Sequence, residues 1–323
     1  MDIARALFAF LATLAAATAA AAQTYPDHPV HMLVGYVPGG PNDIIARAIG
    51  ERLAILWDKP VIIDNVPGAS ANIAGERVAR AAPDGHTLLL ANMNQIVVNP
   101  SLFEHMTFDP VKELAPVSEV AFTPNVLTVP NELPVRSVQE LVAFVRSAPG
   151  RYTFGSPGVG TAQHLACELF KSRAGLDLQH VPYRGAANVI TDLLGNRLTL
   201  FCGNVAPLIA LLREGKARGL AVTSRDRFPA LPDLPTVAEE GFPGYEVTAT
   251  FGIVTTAGTP GEVIERISED TRRVLTDDGL RTRLGAIGVV VTGTSPAEFA
   301  AAIGREHVLW AKVIKDAGLR AAE

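Results

Sequence analysis

Between residues 30 and 92 the chain alternates short β-rich runs with helical patterns, and this alternation restricts the fold more than any other feature of the sequence. "VHMLVGY" (30–36) precedes a helix expected over about 43–56, and "PVIIDN" (60–65) precedes "ASANIAGERVARAA" (69–82). "HTLLLAN" (86–92) follows. A β-α-β-α-β rhythm predicts a parallel sheet with helices on both faces.

The rhythm restarts after residue 124. "NVLTVP" (125–130) reads as a strand, and "SVQELVAFVRSAP" (137–149) opens with Ser137 three residues before Glu140, a capping-box spacing. "RYTFGS" (151–156) is a strand and "TAQHLACELFKSRAG" (161–175) a helix. Two more strand–helix pairs follow, "LDLQHVPY" with "AANVITDLLGN" and "RLTLFCGN" with "APLIALLREG", before a strand at 217–224. The long alternating run "GYEVTATFGIVTT" (244–256) suits a crossing back to the first unit. Helices are expected near 260–276 and 295–317, the second capped by Ser295 with Glu298. Two α/β domains result: residues 23–122 with 250–323, and residues 123–249, with hinge strands near 118–126 and 245–253.

The chain's 323 residues are 48% hydrophobic and 19% charged, which provides a globular core and excludes a disordered chain. A net charge of −5 without a basic block argues against nucleic acid or an anionic membrane surface as partner. The opening "MDIARALFAFLATLAAATAAAAQ" is set apart. Arg5, an apolar stretch from Ala6 and the small residues Ala20-Ala21-Ala22 read as a signal peptide over residues 1–22, cleaved near Ala22 before Gln23. Export is therefore expected, a membrane anchor being the weaker reading of the same segment. Cys167 and Cys202 each lie in apolar sequence and read as separately buried thiols. Export would permit a disulfide, but sequence does not pair them.

Three glycine turns follow expected strands: "VPGGPND" (37–43), "FGSPGVGTAQH" (154–164) and "VPYRGAAN" (181–188). Each opens a helix whose first N–H groups lack backbone partners, an arrangement that attracts anions. Nucleotide signatures are missing. Gly155, Gly158 and Gly160 do not spell G-x-G-x-x-G, and Thr161 stands where a phosphate-binding loop needs lysine. Asp43 reads as a helix cap, with Arg47 four residues on as its partner. Arg184 has two readings, a carboxylate anchor or a surface ion pair. The amides of "ANMNQIVVNP" (91–100) suit neutral hydrogen bonding. The histidines are dispersed and form no metal motif, and no cofactor or metal is expected. Ser156 and His164 are weighed as nucleophile and base, against the plainer reading that His164 packs on its helix.

"YPDHPVHMLVGYVPGGPNDIIAR", "VIIDNVPGASANIAGERVARAAPDGHTLLLAN", "GTAQHLACELF", "HVPYRGAANVITDLLGNRL" and "GLAVTSRDRFPALPDLPTVAEEGFPGYEV" form an ordered set of blocks. This set resembles the solute-binding proteins of tripartite tricarboxylate transporters, the Bug receptor family. The resemblance runs from about Tyr25 to Gly318. It implies a two-domain α/β periplasmic-binding-protein-like fold of type II, with a ligand cleft between domains joined by hinge strands. It implies capture of a small mono-, di- or tricarboxylate, held largely by main-chain N–H groups, for delivery to membrane permease subunits. Carried over by position, ligand contacts are expected at Pro38, Gly40 and Pro41, then at Ser156, Gly158, Thr161, Ala162 and Gln163, then at Gly185, Ala186 and Asn204. Asn94 and Arg184 complete the expected site. Both depart from the family pattern, which often has small hydroxyl residues at the first and lysine at the second. No catalytic residue is implied, and a monomer is expected. The alternatives are an exported hydrolase using Ser156 and His164, or a ligand sensor signalling to a membrane partner.

Overall fold

The computed structural model describes residues 25–320. The expected signal segment and its cleavage point lie outside the described residues. Ten strands form one curled sheet in the order β2-β1-β3-β9-β4-β7-β5-β6, with β8 and β10 also paired to β4. In the first half, β1 (Val30–Val34), β2 (Val61–Asn65) and β3 (Thr87–Asn92) are parallel, as the alternating rhythm predicts. Helix α1 (Pro41–Trp57) crosses between β1 and β2, and α2 (Asn72–Ala79) between β2 and β3. Pro41 suits the first helical position, where its missing N–H leaves nothing unpaired. Helix α2 starts later than the pattern suggested because Ala69, Ser70 and Ala71 all take left-handed backbone angles.

The amide run after β3 folds into two short helices, α3 (Met93–Val97) and α4 (Asn99–Leu102). A third, α5 (Pro110–Glu113), leads into β4 (Leu114–Pro130). Strand β4 joins the hinge strand expected near 118–126 to the strand expected at 125–130 and starts earlier, at Leu114. From Leu114 to Pro124 it runs antiparallel to β9 (Thr248–Thr256). From Asn125 onward its partners are β7 (Leu200–Asn204) and β8 (Ala217–Val222). Pro116 and Pro124 fall where the chain bends or changes partner, a position in which a missing donor is tolerated.

The second half is built on β5 (Tyr152–Ser156), β6 (Leu178–Pro182) and β7, all parallel. Its helices are α6 (Val138–Arg146), α7 (Ala162–Ala174), α8 (Ala186–Leu194) and α9 (Val205–Arg213). The chain then returns through β9 to α10 (Gly261–Val274), α11 (Asp278–Gly285), the two-residue β10 (Val290–Val291) and α12 (Pro296–Asp316). Ser295 and Glu298 close a full capping box on α12. At α6 only one half of that motif forms: Ser137 accepts from the Glu140 N–H, while the Glu140 carboxylate takes the Arg136 N–H.

One core passes beneath both halves. Phe299, Ile303 and Trp310 of α12 bury against the same cluster as Leu165, Phe170 and Tyr245 of the second half. The Tyr245 hydroxyl donates to the Ala166 carbonyl at 2.7 Å. Cys167 of α7 and Cys202 of β7 are joined as a disulfide, with Cα atoms 5.6 Å apart. This corrects the expectation of two separate thiols. The parallel β-α-β packing lays α7 over β7, which places the two side chains against each other.

Candidate functional site

Between the two halves lies a cleft of about 380 Å³. The first half supplies Tyr36, the opening of α1 at Pro41 and Asn42, Ser70, the amide run at Asn92, Asn94, Gln95 and Asn99, and the apolar Leu102 and Phe103. The second supplies Val159 to Gln163 at the opening of α7, and Asn204 at the end of β7. Ala249 and Phe251 of β9 close the wall. No lysine, arginine, histidine, aspartate or glutamate lines it. The Tyr36 hydroxyl is pushed above its ordinary pKa by burial, so it too stays neutral.

Positive potential in this cleft comes from the backbone. Helices α1, α7 and α9 all open onto it, through Pro41 and Asn42, Ala162 and Gln163, and the capping residue Asn204. The aligned peptide dipoles place roughly +0.5 of a charge at each such end. Thr161 caps α7 by accepting from the His164 N–H, which leaves the N–H groups of Ala162 and Gln163 unpaired among the described hydrogen bonds. Asn204 makes no side-chain cap, and its Oδ1 is buried without a partner.

Of the expected contacts, Pro41, Asn94, Thr161, Ala162, Gln163 and Asn204 are brought together in this lining. Pro38 is exposed and Gly40 half-buried in the loop before α1, outside the lining. Ser156 and the half-buried Gly158 are outside the lining. Ser156 is fully buried, and its Oγ meets His180 Nε2 at 2.7 Å and the Gly158 N–H at 3.3 Å. Arg184 is exposed, and Arg184, Gly185 and Ala186 are not in the lining; the Gly185 N–H instead ties to the Pro157 carbonyl at 3.3 Å. Gln95, Asn99, Asn92 and Asn42 were not singled out as contacts. Three of them lie in or beside the amide run already noted for neutral hydrogen bonding.

The Ser156–His164 pair expected of a hydrolase does not form. His164 Nδ1 accepts the Gly160 N–H at 3.2 Å, and Ser156 bonds His180 instead. The two imidazoles stack with centroids 3.9 Å apart, against Phe154. Together with the Thr161 hydroxyl, which donates to the Gly158 carbonyl at 2.8 Å, they strap residues 156–161 into one shape. These histidines set the direction of the α7 opening; the fully buried hydroxyl of Ser156 is closed to solvent.

Asp43 also departs from its expected role. Gly40 occupies the capping position, and Asp43 sits in the first turn, nearly buried. Burial alone would raise its carboxyl pKa, but Arg47, the Gly39 N–H and Asn65 outweigh it and hold the group below the ordinary carboxylate range. Arg47 pairs with it at 2.9 Å, as the i,i+4 spacing predicts. Asn65 bridges Asp43 Oδ1 and the Tyr36 carbonyl, each at 3.0 Å. The carboxylate thus locks the loop before α1 and is absent from the cleft lining.

The fold also joins histidines that are dispersed in sequence. Asp27, His28 and His86 offer ligand atoms within 4.8 Å of one another. The two rings stack face to face at 3.6 Å with 10° between their planes, and His28 Nδ1 and His86 Nε2 both approach Asp27 Oδ1, at 2.6 and 3.1 Å. The group lines a separate cavity with Tyr25 and Arg266.

A pH prediction follows from two pairs of groups of opposite sign, His164 with His180 and Glu119 with Glu306. Burial, then His180 and Lys171, push the His164 pKa down to about 3; burial and Lys171 push His180 down to about 4. The unfolded chain takes these protons near 6.5, so the histidines withdraw stability as pH falls from 6.5 toward 4. Glu119 and Glu306 are both pushed up to about 7, first by burial and then by neighbouring carboxylates including Glu246. Their contribution is complete below 4.5 and is lost as pH rises from 4.5 through 7. Between about pH 4.5 and 6.5 the two trends oppose, and urea midpoints are expected to stay nearly level. Glu119→Gln with Glu306→Gln should leave the histidine effect uncovered, so that the midpoint falls on acidification across that window. An unchanged profile in the double variant would contradict these assignments.

Two α/β halves that share one long strand and enclose an uncharged, amide-rich cleft define a class, the two-domain solute-binding proteins. Similarity to solved structures agrees. R. palustris Rpa4515, solved with adipate, is 35% identical with a TM-score of 0.75, covering 92% of this chain and 99% of that one. MatC of Rhodopseudomonas palustris, solved with malate, is 29% identical with a TM-score of 0.71, covering 90% and 100%. BugT of Bordetella pertussis is 30% identical over 312 residues, 96% of each chain. The family model described as "Tripartite tricarboxylate transporter family receptor" matches residues 45–319, and the chain belongs to that family.

Among the described residues no helix is long and apolar enough to cross a membrane.

Proposed function

We propose that this protein is a periplasmic receptor that closes over a small carboxylate and delivers it to the permease subunits of a tripartite tricarboxylate transporter. The observation that carries this reading is the cleft itself: three helix N-termini converge on a cavity with no charged side chain. Such a site favours an anion without a fixed counter-ion and without a nucleophile. Relatives solved with adipate and malate support the carboxylate class. The partner change along β4 at Pro124 and Asn125, with β9 returning alongside, supplies the hinge about which residues 23–122 with 250–323 would move against residues 123–249. The protein acts by capture rather than catalysis, as a monomer, after export directed by residues 1–22.

A melting-temperature panel of mono-, di- and tricarboxylates tests the reading. A true ligand at 100 times its Kd should stabilise the fold by about 2.7 kcal/mol. Stabilisation by neutral solutes alone, with every carboxylate inert, would overturn it.

A further inference from the structure

One wall of the cleft carries hydrogen-bond acceptors whose orientation is fixed by what their amide nitrogens do. Gln95 Nε2 donates to the Ala71 carbonyl at 2.7 Å. Asn99 Nδ2 donates to the Ser70 carbonyl at 3.0 Å and to Asn72 Oδ1 at 2.7 Å. Asn94 Nδ2 reaches across the cleft to the Gly160 carbonyl at 3.0 Å. In each case the nitrogen is engaged and the orientation of the amide is settled. Each carbonyl oxygen is left without a donor among the described hydrogen bonds, and Gln95 Oε1 is buried as well.

The nitrogens have a structural task. Gln95 and Asn99 hold the carbonyls of Ser70 and Ala71, two residues in left-handed backbone angles that glycine adopts more readily. That task explains why the amides are present, and it leaves their oxygens free. A carboxylate cannot pair with these oxygens, because acceptor faces acceptor, and an unsubstituted alkyl chain cannot pair with them either. A ligand that expels water from this wall must therefore bring its own donors. An ammonium group would bring a positive charge toward three positive helix ends with no anionic side chain in the lining to offset it.

We infer that the ligand of this receptor is a hydroxylated carboxylate: its carboxylate faces the helix openings and its hydroxyls donate to Asn94, Gln95 and Asn99. This inference rests on the carboxylate-receptor reading and narrows it.

Calorimetric titration of the unaltered protein with matched pairs tests it: tartrate against succinate, galactarate against adipate, gluconate against hexanoate. In the pair whose length fits the cleft, the hydroxylated member is expected to bind at least about tenfold more tightly, since unpaired buried acceptors penalise the analogue that lacks donors. Equal binding, or tighter binding of the unsubstituted member, would overturn the inference while leaving the carboxylate reading intact. If no member of any pair binds, both fail. Gln95→Met and Asn99→Leu provide a second readout. Each should bring the ratio within the favoured pair toward one. A ratio unchanged in both variants, with folding confirmed by melting curves, would assign the amides to the turn alone and overturn the inference.

Discussion

Replacing both Cys167 and Cys202 by alanine is expected to lower the unfolding free energy by about 4 kcal/mol, the chain-entropy value for a loop of this length. The cross-link spans 35 residues and ties α7 to β7 inside the second half of the sheet. Without it the unfolded chain regains the freedom the loop denies it, while the folded core keeps its packing around two buried side chains. Function should follow stability here. Helix α7 presents Ala162 and Gln163 to the cleft and β7 presents Asn204, so the disulfide ties together the two elements that form the second half's side of the site. Urea unfolding of the oxidised protein, of the same protein in reductant and of the double variant gives the check. Equal midpoints in all three would show that the bond carries no stability.

The second large effect is expected at Gly160. Its φ of +77° is strained for any other residue, and a Cβ there would lie 2.2 Å from Leu102 Cδ1 on the opposite side of the cleft. The Asn94 amide closes on the Gly160 carbonyl at this same point. Gly160→Val should therefore weaken ligand binding by about 100-fold or more, because closure and ligand contact require the same approach. A cycle separates the causes. Gly160→Ala should lose less, and Leu102→Ala in the same chain should recover part of that loss, with a coupling of about 1 kcal/mol or more. No recovery would place the whole effect in backbone strain and not in the approach of the two halves.

How far the sequence disclosed this structure depends on the range of each interaction. The β-α alternation is local, so the parallel strands and most helices could be read from residue spacing. The hinge strand near 118–126 and the strand at 125–130 read as separate pieces, and pairing first with β9 and then with β7 and β8 joins them into one strand that begins at Leu114. The late start of α2 has a long-range cause: Ala69, Ser70 and Ala71 take left-handed angles, and amides 24 and 29 residues away hold the carbonyls of Ala71 and Ser70. Nearness in sequence suggests His164 as the partner of Ser156, yet that partner is His180, on the neighbouring parallel strand. The cysteines lie on different elements, and no local pattern pairs them. The helix openings at Pro41 and at Thr161 to Gln163 were legible because turn chemistry is local. The third turn was equally legible, but the structure does not bring Arg184, Gly185 and Ala186 to the lining. The amide wall was visible as composition, while the direction of each amide was not.

The most direct test of the central claim is a crystal structure of the protein with a bound carboxylate. The expected result places the carboxylate oxygens within hydrogen-bond reach of the main-chain N–H groups of Ala162 and Gln163, with no lysine or arginine nitrogen within about 4 Å. A carboxylate paired instead with Arg184, or bound outside this cleft, would contradict the account.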